Sequence, residues 1–340
     1  MVDRAVPRIT GNKEVASAGE SLPKLPPLVE ARGVEKHFPG VQALKSVSID
    51  VRPGEIHCWI GENGAGKSTL IKVFAGSYKK DGGETLVGGE SVNISDPSHS
   101  LSLRMSFILQ ELSVVPGLSV ADNVMLGHEF AAFGNVMRKE AAQRVSQLLE
   151  SIGFGWIQPR SMVSDLSVAE QQAVMVARAL HLDANVIFFD ETTASLGVEE
   201  AQRIFEVMRK IRSEGKGVVF VTHRLDEVKA VADRVTVFKD GEIVETGPIQ
   251  AFSIDSMVTK MVGREISHVF PPKRETFGET VLELNRVSTN RVSEISFSLR
   301  KGEVLGIAGL VGSGRTEVLQ SIFGIDRIES GYLKLDGEQV

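Results

Sequence analysis

Gly61, Glu62, Asn63, Gly64, Ala65, Gly66, Lys67, Ser68 and Thr69 have the types and spacing to hold a chain of phosphates. They fit the pattern of Gly, four residues, Gly, Lys and Ser or Thr. Glycines let the backbone turn tightly enough for successive N–H groups to point at phosphate oxygens. Lys67 would bring a point charge to the β- and γ-phosphates, and the Ser68 hydroxyl would ligate Mg2+. The expected ligand is therefore a nucleoside triphosphate. Glu55 to Ile60 reads as a short buried strand entering the loop, and Lys67 to Ala75 as the helix leaving it. That setting suits an anion, because a helix N-terminus adds a favourable field. The bland alternative for the bare pattern is an ordinary Gly-rich turn.

Asp190 and Glu191 close the apolar run Val186 to Phe189. Two carboxylates at the end of a hydrophobic strand cost free energy unless a cation or a reaction uses them. Asp190 would hold Mg2+ through water, and Glu191 would polarise an attacking water. The competing reading is a helix-cap Asp followed by a solvated Glu. His223, beyond the apolar strand Gly217 to Val221, could reach the γ-phosphate; alone it reads as a surface histidine. Gln110, alone, is a polar residue at a strand end.

The elements that must position these groups alternate between strand and helix. Leu28 to Arg32 and Ala43 to Val51 read as strands around a turn at Phe38, Pro39 and Gly40. Glu84 to Val87 and Met105 to Leu109 are further strands, and from Ser119 to about Leu180 the pattern turns helical, most clearly over Arg138 to Glu150. Glu199 to Ile211 is an amphipathic helix, and Val235 to Val244 a hairpin around Asp240 and Gly241. The alternation predicts an α/β fold with a parallel sheet.

A length of 340 residues leaves room for two ordinary domains, and 42% hydrophobic with 24% charged residues fits a globular protein. No apolar run reaches the roughly 18 residues of a membrane span. A net charge of −6 gives no case for nucleic acid, which favours a basic stripe. The single cysteine, Cys58, reads as a buried structural thiol and fits a reducing cytosol. Residues 1–27 mix Pro, Gly, Ser and charges without periodicity, which predicts a disordered tail.

An internal repeat organises the rest. Gly54 and Glu55 recur as Gly302 and Glu303, and Gly61, Gly64 and Gly66 as Gly309, Gly312 and Gly314. Gly76, Gly83 and Gly89 recur as Gly324, Gly331 and Gly337, always at an offset of 248 positions. The expected layout is a nucleotide-binding domain over 28–250 with a helical subdomain at about 112–181, a linker over 251–279, and a partial second copy over 280–340.

Together these residues resemble the ATP-binding cassette (ABC) family, a P-loop NTPase fold with a helical and a β subdomain, without a break from 28 to 250. Phe38, 29 positions before Lys67, resembles the aromatic that stacks on adenine. Gln110 and Glu111 are similar to the Q-loop, which implies that Gln110 senses Mg2+ and water. Leu166 to Gln172 is similar to the signature segment, where Ser167 would grip the γ-phosphate of ATP held by the opposite domain. Ala194, Ser195 and Leu196 look like the D-loop, and Thr222 and His223 like the switch-histidine segment. Phe38 to Leu44, Met261 to Arg264 and Gly309 to Thr316 look most like the two-cassette ATPases of bacterial monosaccharide importers of the ribose/galactose type. The resemblance implies MgATP hydrolysis, membrane permease subunits, indirectly a periplasmic sugar-binding protein, a second ABC domain or a homodimer, and the cytoplasmic face of the inner membrane.

Four departures stand out. Ala169 replaces a signature glycine, Thr192 the usual proline, and Arg315 the lysine of the second loop. The second copy also stops before any Q-loop, signature or carboxylate pair, which reads as early truncation. A rival reading is a soluble tandem cassette acting on ribosomes or DNA, and another an inactive remnant. The acidic balance and the short 251–279 stretch count against the nucleic-acid reading.

Overall fold

Short apolar runs form the centre of the fold. The computed structural model describes residues 26–110, 113–129, 131–132, 135–194, 196–263, 276–309 and 312–340. The expected tail falls outside these residues except for Pro26 and Pro27, as do Glu111, Ser195, Arg264 and residues 265–275 of the expected linker.

The chain opens with β1 (Val29–Phe38), β2 (Val41–Val51), β3 (Ile56–Gly61), α1 (Lys67–Phe74), β4 (Gly82–Val87), β5 (Glu90–Ser91), α2 (Pro97–Ser102) and β6 (Met105–Ile108). A mostly helical stretch follows: α3 (Val120–Met125), the short pair β7 (Ala131–Ala132) and β8 (Asn135–Val136), α4 (Arg138–Ser151) and α5 (Val168–His181). Then come β9 (Val186–Asp190), α6 (Val198–Ser213), β10 (Gly217–Val221), α7 (Leu225–Val231), β11 (Arg234–Lys239), β12 (Glu242–Pro248) and α8 (Ile254–Val262). The second unit holds β13 (Thr280–Ser288), β14 (Ile295–Arg300), α9 (Arg315–Phe323), β15 (Ser330–Leu335) and β16 (Glu338–Gln339).

In the first unit the central sheet runs β12-β11-β3-β10-β9-β6. All but β12 are parallel to their neighbours. Every residue of β3, β9 and β10 is buried, as strands covered on both faces must be. Successive side chains go to opposite faces. Trp59, Phe188, Val219 and Val221 join Leu70 and Phe74 of α1 in one core. Cys58, Ile60, Phe189 and Phe220 join the α5 and α6 side chains in the other. Burial pushes the Cys58 thiol far up, so it is an inert core group. The antiparallel sheet β2-β1-β4-β5 covers the first of these cores.

The stretch 251–279, expected as a linker, begins as folded structure. Phe252 and Met257 are buried, and α8 packs on β11, so this part continues the first unit. Its apolar spacing over nine residues was too short to stand out against mixed charges. Among the described residues no helix is long and apolar enough to cross a membrane.

The second unit repeats the small sheet as β14-β13-β15-β16 around Leu284, Val287 and Leu333. The register shows where the repeat is not uniform. Val34 pairs with Val47, but the equivalent Val287 pairs with Ile295, closing the hairpin five residues sooner. The shortened part is the one that carries Phe38, and no aromatic lies between Val287 and Ile295. Glu317 also stands in the first turn of α9, where α1 has no acidic residue.

One buried polar cluster ties β2, β3 and β11 together. Arg234 grips Glu55 through Nη2 (2.6 Å) and Nε (3.1 Å), and reaches Asp50 Oδ1 through Nη1 at 2.7 Å. His57, fully buried, donates from Nδ1 to the Asp50 carbonyl at 3.0 Å and accepts on Nε2 from Thr236 Oγ1 at 2.7 Å. Burial, with the Arg234 guanidinium nearby, pushes its pKa down to about 3. The unfolded chain takes up this proton near pH 6.5 while the native fold refuses it, so stability falls as pH drops from about 6.5 to about 3. The expected slope from this group is about 1.4 kcal/mol per pH unit in that window, and none above it. Urea unfolding of wild type and His57→Asn between pH 4 and 7 checks it; the variant should show the shallower acid slope.

Candidate functional site

Parallel strands deliver their C-terminal ends to one edge of a sheet, where ligands of α/β folds gather. Here β3 runs into the loop 61–66, β9 ends on Asp190, β10 precedes Thr222 and His223, and β6 precedes Gln110. β10, rather than β9, is the strand beside β3 on this side. The loop geometry depends on missing side chains. A Cβ on Gly61 would sit 2.4 Å from the Phe238 carbonyl oxygen. One on Gly66, at φ 104°, would sit 2.7 Å from the Ala43 oxygen. No side chain caps α1 and its first turn has no acidic residue, so its leading N–H groups face the loop uncontested.

A cavity of about 240 Å³ is lined by Asn63, Gly64, Ala65, Gly66, Lys67, Ser68, Thr69, Gln110 and Glu191. Lys67 is buried, and its ammonium donates to the carbonyl oxygens of Gly61 (2.8 Å) and Glu62 (2.9 Å). Burial pulls its pKa down, against the attraction of Glu191 and Asp190. Burial pushes the Asp190 carboxyl up, helped by repulsion from Glu191 and opposed by Ser68 and Lys67. Ser68 Oγ donates to Asp190 Oδ1 at 3.2 Å. Gln110 Nε2 donates to Glu191 Oε2 at 3.1 Å, and His223 Nδ1 lies 3.6 Å from Glu191 Oε1. Glu191 holds a left-handed backbone, φ 50°, with its N–H on the Val221 carbonyl at 3.0 Å. Lys67, Ser68, Gln110, Asp190, Glu191 and His223 therefore meet in one place.

The oxygen donors fit a hard divalent cation. The Ser68 hydroxyl and the Asp190 carboxylate touch, and a cation would remove the penalty that burial places on Asp190. Among the described residues no group of three or more His, Cys, Asp or Glu forms a metal cage, so an ion here would need ligand oxygens and water as well.

Phe38 and Ser167 do not line this cavity. Phe38, 36% exposed at the end of β1, meets Tyr78 edge-on with ring centres 5.2 Å apart. Ser167 caps α5 in a capping box: Glu170 Oε2 accepts from its N–H and its Oγ, both at 2.9 Å. Trp156 Nε1 donates to Glu170 Oε1 at 3.1 Å, and the Arg203 guanidinium lies over the Trp156 ring at 4.6 Å. Neither Tyr78 nor Trp156 belongs to any motif of the sequence, and Glu170 enters there only as a member of the segment Leu166 to Gln172. Only the spacing of Ser167 and Glu170, a helix-start pattern, carried a signal.

The family model described as "ABC transporter" matches residues 44–194 and again 292–340. The chain is 43% identical over 312 residues to "Ribose import ATP-binding protein RbsA 3" of Rubrobacter xylanophilus, covering 92% of this chain and 63% of that protein. It is 41% identical over 316 residues to "Putative ribose/galactose/methyl galactoside import ATP-binding protein 3" of Burkholderia ambifaria, covering 92% and 62%. The chain thus spans about three-fifths of the length of the curated relatives it matches. Its fold is similar to the ADP conformation of MJ1267, an ATP-binding cassette of an ABC transporter: TM-score 0.61, 23% identity, 71% of this chain and 99% of that one. It is also similar to the ATP-binding cassette MJ0796 bound to ADP and Pi: TM-score 0.59, 26% identity, 66% and 100%.

Thr192 shows the cost of one departure. It is buried, and its Oγ1 has no hydrogen-bond partner among the described residues. Thr192→Val keeps the shape and removes the orphaned hydroxyl, so the expected result is a gain of about 1 kcal/mol. Denaturant unfolding at neutral pH measures it.

Proposed function

The chain belongs to the ABC transporter family, and we propose that it is the ATP-binding and ATP-hydrolysing subunit of an importer that energises uptake of a monosaccharide or similar polyol. The observation that carries this reading is the convergence of Lys67, Ser68, Gln110, Asp190, Glu191 and His223 at one sheet edge. The importer names of the relatives supply the substrate class. The partners would be membrane permease subunits at the cytoplasmic face of the inner membrane and, through them, a periplasmic binding protein.

In this mechanism the loop amides and the α1 N-terminus receive the phosphates, and Lys67 exchanges the Gly61 and Glu62 carbonyls for β- and γ-phosphate oxygens. Ser68 and Asp190, with Gln110, would hold Mg2+, which neutralises charge on the phosphate oxygens. Glu191 polarises the attacking water, held in place by Gln110, while His223 reaches the γ-phosphate. Phe38 stacks on adenine. Ser167 serves the ATP of an opposing cassette, a second ABC domain or another copy, and must first release its hydroxyl from Glu170. Closure on ATP and parting after hydrolysis would move the permease.

Glu191→Gln is expected to abolish turnover, at least about 100-fold, while ATP binding persists. Phosphate release and equilibrium binding, measured side by side, test this; wild-type turnover in the variant removes Glu191 from its role.

A further inference from the structure

Glu227 is a buried carboxylate for which the mechanism above has no task. It lies in the first turn of α7 and is 3% exposed. Its Oε2 accepts from Thr222 Oγ1 and from Thr193 Oγ1, each at 2.8 Å. Both threonines are buried. Thr222 immediately precedes His223, and Thr193 lies two residues after Glu191. Thr222 Oγ1 also accepts from the Arg224 N–H at 3.1 Å. The second oxygen, Oε1, faces Arg224 Nη1 at 3.1 Å, an ion pair without hydrogen-bond alignment.

One oxygen atom thus joins the segment that carries Glu191 to the segment that carries His223. Charge-assisted hydrogen bonds are shorter and stronger than neutral ones, so a carboxylate makes this joint stiffer than an amide or hydroxyl would. An apolar side chain in the same space would strand both buried threonine hydroxyls, so the carboxylate, Thr193 and Thr222 act as one unit. Helix capping does not explain Glu227, since Asp226 already places a carboxylate in the same turn at the surface. Glu191 needs the support. A left-handed backbone at a non-glycine residue persists only where its surroundings over-determine it. The Glu191 N–H bond to Val221 fixes one side, and the Thr193–Glu227–Thr222 bridge fixes the other.

We propose that Glu227 is a positioning residue that locks the 191–193 and 222–224 segments together and so sets the 3.6 Å approach of His223 to Glu191. It does not line the cavity around Lys67, and its effect on turnover rests on the reading that Glu191 and His223 serve hydrolysis.

The test compares ATP turnover and ATP affinity of the whole chain in wild type, Glu227→Ala, Glu227→Gln, Thr193→Val, His223→Ala and the double variant Glu227→Ala/His223→Ala. Glu227→Ala should lower kcat at least about tenfold and leave KM within about twofold. Glu227→Gln, whose amide oxygen can accept both hydroxyls, should recover most of the loss. Thr193→Val, which removes one bond of the bridge, should fall between. The double variant should lose no more than about twofold beyond His223→Ala alone. Losses that multiply, a Gln variant no better than Ala, or kcat and KM moving together would overturn the proposal. If wild type itself shows no turnover, the hydrolysis reading has failed, and amide hydrogen exchange on nucleotide-free chain still decides the bridge. Glu227→Ala should then speed exchange in both 191–194 and 222–224 and leave 64–69 unchanged; a change confined to α7 overturns it.

Discussion

A buried ammonium and a buried carboxylate, Lys67 and Asp190, sit at the same sheet edge, and the chain balances neither fully. Lys67 leans on carbonyl oxygens of its own loop, and Asp190 has one hydroxyl hydrogen bond from Ser68. Buried charges are costly unless a partner of opposite sign arrives. A polyphosphate with a divalent cation would answer both demands together: anionic oxygens for Lys67 and the α1 amides, and positive charge for Asp190. The rest of the first unit follows from holding these groups at one edge.

The parallel sheet does that holding. Strands buried on both faces cannot slide without exposing apolar surface, so Asp190 stays level with Val221 and with Trp59, two residues before Gly61 opens the loop. The glycines at 61 and 66 let the loop pass within contact of β11 and β2, where any side chain would strike backbone. The polar cluster of Asp50, Glu55, His57 and Arg234 fixes the opposite end of the same strands. Stability and site geometry are therefore built from the same strands.

Much of this was legible in residues whose role depends on local pattern. The loop 61–69, the buried strands 186–190 and 217–221, and the hairpin at Asp240 and Gly241 announce themselves by spacing and composition. The groups that escaped notice depend on contacts between distant segments. Glu227 looks like any acidic residue at a helix start until burial puts it between Thr193 and Thr222. Tyr78 gains meaning only beside Phe38, and Trp156 only beside Glu170 and Arg203. The helix α8 was hidden because a short amphipathic run among mixed charges resembles a linker. The glycine repeat was visible, but the shortened β13–β14 hairpin was not, since it lies ahead of the first matched glycine.

Calorimetric titration of the whole chain with ATP, with and without Mg2+, against the same titration of Lys67→Ala shows whether the unbalanced charges at this sheet edge hold a nucleotide. Wild type should give saturable heat that Mg2+ strengthens, and the variant should lose it. No heat from folded wild type, or an unchanged isotherm in Lys67→Ala, would contradict a nucleotide site built on Lys67.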